Sequence, residues 1–201
     1  AVDYDQDGWT DLFFADGAQA GLYRNLGGQS FENVTQPAGL IGPLHGFNHG
    51  LFADFDNDGF PDLFLGGTTV ASRLFRNNGQ GGFLEIDLPD QLSAELVTAS
   101  SAADIDGDGD LDLLIMSTGK TPRLLRNDQQ TGHHWVRFQL TSDPTKGNKG
   151  SIPASNHDAL GAQIQIETQS GVQSRLVMPT RSYLSQTELP VTFGLGDETE
   201  I

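Results

Sequence analysis

The chain has 201 residues, enough for one or two domains with a buried core, and carries 27 acidic against 11 basic side chains, a formal charge of −16. That charge argues against nucleic acid and anionic membrane as partners and favours cations. There is no cysteine, which excludes disulfides, thiolate metal sites and cysteine nucleophiles, and no apolar run of transmembrane length, so no membrane insertion is expected.

The first element is an acidic loop, "DYDQDGWTD", from Asp3 to Asp11, with aspartate at its positions 1, 3, 5 and 9 and glycine at 6. Leu12-Phe13-Phe14 follows and predicts a strand, and a second strand is predicted around Arg24-Asn25. A glycine-rich turn then leads to Phe31. The same order recurs. Gly50 to Ala53 predicts a strand running into "DFDNDGFPD", Asp54 to Asp62, and then come Leu63-Phe64-Leu65, Arg76-Asn77, a glycine-rich turn and Phe83. A third copy has a predicted strand over Ser100 to Ala103, "DIDGDGDLD" from Asp104 to Asp112, Leu113-Leu114-Ile115 and Arg126-Asn127. It runs on into "GHHW" instead of a glycine turn and phenylalanine, as if spliced to something else.

The loop starts are 51 and then 50 residues apart, a period that predicts stacked supersecondary units. Each unit reads as about four short strands, the pattern of β-propeller-type blades in an all-β fold. Propellers close with about four to eight blades, and only Ala1 and Val2 precede the first loop. The chain is therefore expected to be a partial propeller cut from a longer protein, with the remaining blades as one partner.

Alternate side chains project to one side of an extended or turning backbone, so positions 1, 3 and 5 of each loop can converge on one point. Glycine at 6 allows the reversal, as in the EF-hand calcium loop. A carbonyl from position 7 and the carboxylate at position 9 would complete a shell of oxygens. The candidate ligands are Asp3, Asp5, Asp7, the Trp9 carbonyl and Asp11; Asp54, Asp56, Asp58, the Phe60 carbonyl and Asp62; and Asp104, Asp106, Asp108, the Asp110 carbonyl and Asp112. Oxygen ligands alone select a hard cation, whereas zinc and copper would want His or Cys, which these loops lack. Calcium tolerates six to eight oxygens in irregular geometry better than magnesium does, so about three Ca2+ ions, one per loop, are expected. The competing reading is a set of solvated Asp-Gly turns; three registered copies favour the ion. Such sites fill at the roughly 10⁻⁴–10⁻³ M calcium found outside cells, which predicts a secreted, periplasmic or surface location.

Asp-x-Asp-x-Asp-Gly-x-x-Asp before an apolar strand, repeated about every 50 residues with "LYRN" or "LFRN", resembles the FG-GAP/VCBS repeats of integrin-like β-propellers. The resemblance covers residues 1–132 and implies that the loop aspartates are calcium ligands.

From residue 133 the charge falls away: residues 1–132 hold 20 acidic and 6 basic groups, residues 133–201 only 7 and 5. "HHWVRFQL", "LGAQIQIETQSG" and "VQSRLVM" alternate apolar and polar residues, predicting an antiparallel β module with one solvated face. The polar stretch between the first two reads as a loop. "HHWV", "SNHDALGAQI", "SYLSQ" and "FGLG" resemble the ASPIC/UnbV domain, with His157 where arginine is expected and without the usual ending. That resemblance covers 133–201 and implies no catalytic residues.

Other candidates favour packing over chemistry. His45 and His49 stand four apart in a non-helical stretch, His133 and His134 point to opposite sides of a strand, and His157-Asp158 is at best a loop dyad. Ser182, Tyr183 and Ser185 lack a nucleophile elbow. Arg24, Arg76 and Arg126 are expected to pair between blades, and Trp9 and Phe60 to fill the inter-blade core. The expected function is extracellular recognition or adhesion of a protein or glycan ligand, without catalysis. A glycan-binding module, or a calcium-dependent hydrolase or lyase, is the alternative.

Overall fold

The alternation after each acidic loop builds antiparallel sheets in the computed structural model, which describes residues 1–88, 92, 95–141, 157–182 and 185–201. The first unit comprises β1 (Leu12–Ala15), β2 (Ala20–Asn25) and β3 (Phe31–Asn33) in that order, and a single bridge between Val2 and Asp11 stands where a leading strand would lie. The second is a complete four-stranded sheet of β4 (Phe47–Ala53), β5 (Asp62–Gly67), β6 (Arg73–Asn77) and β7 (Phe83–Ile86). The third has β8 (Ala99–Ala103), β9 (Asp112–Met116) and β10 (Arg123–Leu125). Each acidic loop thus joins two neighbouring antiparallel strands, or the bridge that replaces one. Among the described residues, the sheets do not close into a barrel.

Period-2 alternation explains how the units stack. In β5, Leu63, Phe64 and Leu65 are all fully buried, because the sheet is covered on both faces. Leu63 and Leu65 enter a cluster with Tyr4 and Leu22 of the first unit, and Phe64 enters one with Ala102, Leu113 and Ile115 of the third. Complete burial of each such side chain contributes about 1.5–3 kcal/mol. The equivalent outward positions on the end units are exposed: Leu12 and Phe14 on the first, Leu114 and Met116 on the third.

After β10 come β11 (His134–Phe138), β12 (Gln163–Thr168), β13 (Gly171–Leu176) and β14 (Val191–Gly196). They form two antiparallel pairs, β11 with β14 and β12 with β13, around Ile166, Val177, Val191 and Phe193. The polar stretch read as a loop falls mostly at 142–156, outside the described residues, as does Tyr183. Among the described residues, no helix is long and apolar enough to cross a membrane.

Candidate metal centres

The three acidic loops share one backbone conformation. Position 4 is left-handed in each (Gln6 φ 57°, Asn57 φ 56°, Gly107 φ 82°), and so is the position-6 glycine (Gly8 φ 88°, Gly59 φ 96°, Gly109 φ 91°). A β-carbon disfavours that region, which is why glycine stands at position 6.

The carboxylates repeat their contacts as well. At position 1, Asp3, Asp54 and Asp104 accept the amide of their own Gly8, Gly59 and Gly109, at 3.1, 2.9 and 3.2 Å. At position 5, Asp7, Asp58 and Asp108 accept the amides of Trp9, Phe60 and Asp110, at 2.9, 2.8 and 3.0 Å. Position 9 ties the strands together. One oxygen of Asp11, Asp62 and Asp112 accepts the amide of Asn25, Asn77 or Asn127 at 2.8 Å, and the other accepts the amide of Tyr4, Phe55 or Ile105 at 3.0–3.1 Å.

Three clusters of carboxylate oxygens result, each within 4.8 Å: Asp3, Asp5 and Asp11; Asp54, Asp56 and Asp58; Asp104, Asp106 and Asp108. Position 9 thus joins only the first cluster and position 5 only the other two: Asp7, to which Arg24 Nη2 donates at 3.0 Å, falls outside its cluster, as do Asp62 and Asp112, which accept the same amides as Asp11. Carboxylate oxygens have spare lone pairs, so those bonds leave ligating capacity. The position-7 residues Trp9, Phe60 and Asp110 follow the left-handed glycine of each loop.

The donor set fits a hard cation on one direct observation. In the second loop, Asp54 Oδ1 and Asp56 Oδ2 are buried and accept no hydrogen bond. Asp56 Oδ2 lies 3.1 Å from Arg76 Nε, but this is an ion pair without hydrogen-bond alignment. A buried carboxylate oxygen without a hydrogen bond is costly unless a charge meets it; Arg76 meets Asp56 Oδ2, and Asp54 Oδ1 is left for a cation. Burial, reinforced by Asp58 and Asp56, pushes Asp54 up to about 7, and burial pushes Asp62 up to about 8 and Asp11 to about 6. These folded values exceed the roughly 3.9 of an unfolded aspartate, so between about pH 4 and 8 the native state holds more protons than the unfolded state. Stability of the metal-free protein is therefore expected to fall as pH rises through that window. Thermal melts in chelator at pH 5 and pH 8 check this, the higher melting temperature being expected at pH 5.

Two expectations about neighbouring residues are corrected. The repeating arginines do not link blades: Arg24, Arg76 and Arg126 pair with the position-3 aspartates of their own loops, Asp5, Asp56 and Asp106, at 2.7, 3.1 and 3.0 Å. The strand registers Leu12↔Tyr23 and Leu63↔Phe75 set each arginine next to its own loop. The asparagine beside each arginine makes the links. Asn77 Nδ2 donates to Pro61 O of its own loop at 3.1 Å and to Tyr4 O of the preceding unit at 2.9 Å. Asn127 Nδ2 repeats this with Leu111 O at 3.3 Å and Phe55 O at 2.7 Å. Position 4 adds a second link, Gln6 donating to Gly59 O at 2.8 Å and Asn57 to Gly109 O at 3.3 Å. The other correction is Trp9, which is 47% exposed and so not inter-blade core. It lies over Gly28, and Phe60, half-buried, lies over Gly79 in the equivalent turn.

His49, His133 and Ser182 make packing contacts, while His45, His134 and His157 are exposed. His49 Nε2 meets Ser100 Oγ at 3.0 Å between the second and third units, and burial lowers its pKa to about 4. His133 Nδ1 lies 2.6 Å from Asp56 O, His157 pairs with Asp158 on the surface, and Ser182 donates to Gly50 O.

The C-terminal strands sit directly on the loops, a relation that no local sequence pattern announces. Gly194 of β14 is pressed against the second loop: a β-carbon there would lie 2.3 Å from Asp54 Oδ2 and 2.5 Å from the Asn57 carbonyl carbon. Gly196 N donates to Asn57 O at 2.9 Å. Arg175, held against the Phe193 ring, donates to Gly59 O at 2.7 Å. Arg137 donates to Asp104 Oδ2 and Glu188 Oε2. Gly194→Ala is expected to cost about 1–3 kcal/mol by overpacking and to lower the melting temperature measurably. A cavity of about 320 Å³ between the first loop and this module is bordered by Asp3, Ser174, Arg175 and Arg181, and its lining carries no histidine.

Comparison with known families gives two matches. The FG-GAP-like repeat matches residues 3–65 and 54–115, each match running from one acidic loop into the next unit, and the ASPIC and UnbV family matches residues 151–201. No curated protein matches the chain. Triplicate acidic loops between antiparallel strands, with matches spanning more than half of its length, place this chain in the FG-GAP-like repeat family.

Proposed function

We propose that this chain is a calcium-binding recognition module that works outside cells, its ions pinning the hairpins of the blades. The observation that carries the reading is Asp54 Oδ1, a buried carboxylate oxygen that accepts no hydrogen bond, within a cluster of three carboxylates that has a counterpart in each of the other two loops. The holding residues are the aspartates at positions 1, 3, 5 and 9 of each loop, with the carbonyls of Trp9, Phe60 and Asp110. When bound, the ion neutralises carboxylates that otherwise repel one another in a half-buried turn. The protein's own part is to aim those oxygens with the glycine turn and to lock the flanking strands through position 9.

A pinning role agrees with how these loops are built in: the second and third each join two strands of one unit, the first joins β1 to the bridge, and the first and second touch the next unit. The recognition surface is then the calcium-stiffened blade array, and its ligand is a protein or a glycan. Further units of the same kind cover the exposed faces at Leu12 and Phe14 and at Leu114 and Met116, whose counterparts Leu63 and Phe64 are fully buried by neighbouring units. The family's association with extracellular proteins supports the location, as does the roughly millimolar calcium such loops need.

Equilibrium dialysis in millimolar calcium tests the reading. About three ions per chain are expected, and an Asp54→Asn variant should lose one. No retained calcium would overturn it. A glycan array probed with calcium-loaded protein then separates a glycan ligand from a protein one.

A further inference from the structure

We propose that the third loop carries its own competitor for the cation, Arg137 of β11, so that filling this loop and seating the C-terminal strands oppose each other. The inference rests on the calcium reading above and concerns what distinguishes one loop from the others.

The three position-1 aspartates differ in what their oxygens meet. Asp54 Oδ2 accepts the Gly59 amide while Oδ1 is buried and unsatisfied. Asp3 accepts only amides, from Asp7 at 3.1 Å and from Gly8 at 3.1 Å. Asp104 has both oxygens engaged: Oδ1 accepts Gly107 N at 2.8 Å, and Oδ2 accepts Gly109 N at 3.2 Å together with Arg137 Nη1. Every loop already has an arginine on its position-3 aspartate, Arg24, Arg76 or Arg126, so the third loop differs in carrying a second guanidinium, on the position-1 carboxylate that the ion would use. Arg175 is only a partial parallel in the second loop: its charge acts on Asp54, but its hydrogen bonds go to Gly59 O, Ser174 O and Gln173 Oε1 and not to a carboxylate.

Arg137 is also held in place. Its other arm donates to Glu188, and Glu188 Oε1 in turn accepts the amide of Asp104 at 3.1 Å. Asp104, Arg137 and Glu188 form a closed ring of contacts that fixes the guanidinium on the loop. One residue pair away in the chain, Trp135 is pressed onto the same loop, since a β-carbon on Gly109 would lie 1.9 Å from its Cε2. A dication and a guanidinium sharing one carboxylate repel, and such a coupling is reciprocal: whatever weakens the ion here is weakened by the ion to the same factor.

Calorimetric titration of the chelator-stripped chain with calcium is the test. Wild type is expected to show two tighter sites and one weaker site. Arg137→Gln is expected to tighten the weak site by about 5- to 150-fold, the ordinary range of a coupling between sites. Glu188→Gln, which leaves the guanidinium less neutralised, is expected to weaken it further and serves if Arg137→Gln does not fold. In a Trp9→Phe background the remaining tryptophan, Trp135, should change its emission across the weak-site titration. Three sites of unchanged affinity in Arg137→Gln, or in Glu188→Gln if only that variant folds, overturn the inference and leave the calcium reading standing. No calcium binding in any of these proteins overturns both.

Discussion

Adding millimolar calcium to the chelator-treated protein is expected to raise its melting temperature by about 10 °C. With a dissociation constant near 10⁻⁴ M, 1 mM free ion stabilises the folded state by about 1.4 kcal/mol per site, or about 4 kcal/mol for three. A chain of this size shifts by about 2–4 °C per kcal/mol. The gain should be larger at pH 8 than at pH 5, because protons compete for the carboxylates that burial pushes upward, Asp54 to about 7 and Asp62 to about 8. Differential scanning calorimetry with and without chelator measures it. An unchanged melting temperature would count against all three loops at once.

Asn77→Ala is expected to cost about 3 kcal/mol, whereas Arg76→Ala, one residue away, should cost less than about 1 kcal/mol. Asn77 is 1% exposed and its amide satisfies the carbonyls of Tyr4 and Pro61, while its Oδ1 accepts Gly79 N at 3.0 Å. Removing it strands two buried acceptors, each costing about 1–3 kcal/mol. Arg76 instead lies more than half exposed in its pair with Asp56, where solvent screens most of the attraction. Denaturant unfolding of the two variants side by side checks the order. Equal losses would mean that the units are not joined through this asparagine.

These variants mark how far the sequence could be read. "FRN" is visible as a repeating pair, and the sequence leads one to expect the arginine to pair between units. The structure gives that work to the short neutral amide. Asn77 occupies a strand end whose neighbour is another unit's loop, and only a group with two donors on one nitrogen can serve both carbonyls there. Trp9, expected in the inter-blade core, instead follows a left-handed glycine and covers the turn at Gly28.

What the residues determined unaided is local. Asp-x-Asp-x-Asp-Gly sets its own turn because each carboxylate accepts amides only two to five residues ahead, and alternating apolar residues set the strands that follow. The all-β architecture and the three acidic loops were legible for that reason, whereas the third carboxylate of each cluster was not, being position 9 in the first loop and position 5 in the others. Contacts between distant segments were not. Asn77 meets a carbonyl 73 residues away, Arg175 one 116 residues away, and Arg137 a carboxylate 33 residues away, and no periodicity in the chain links those positions. Packing alone decided that the C-terminal strands rest on the acidic loops, because burying β14 against the second unit requires the bare backbone of Gly194 at Asp54.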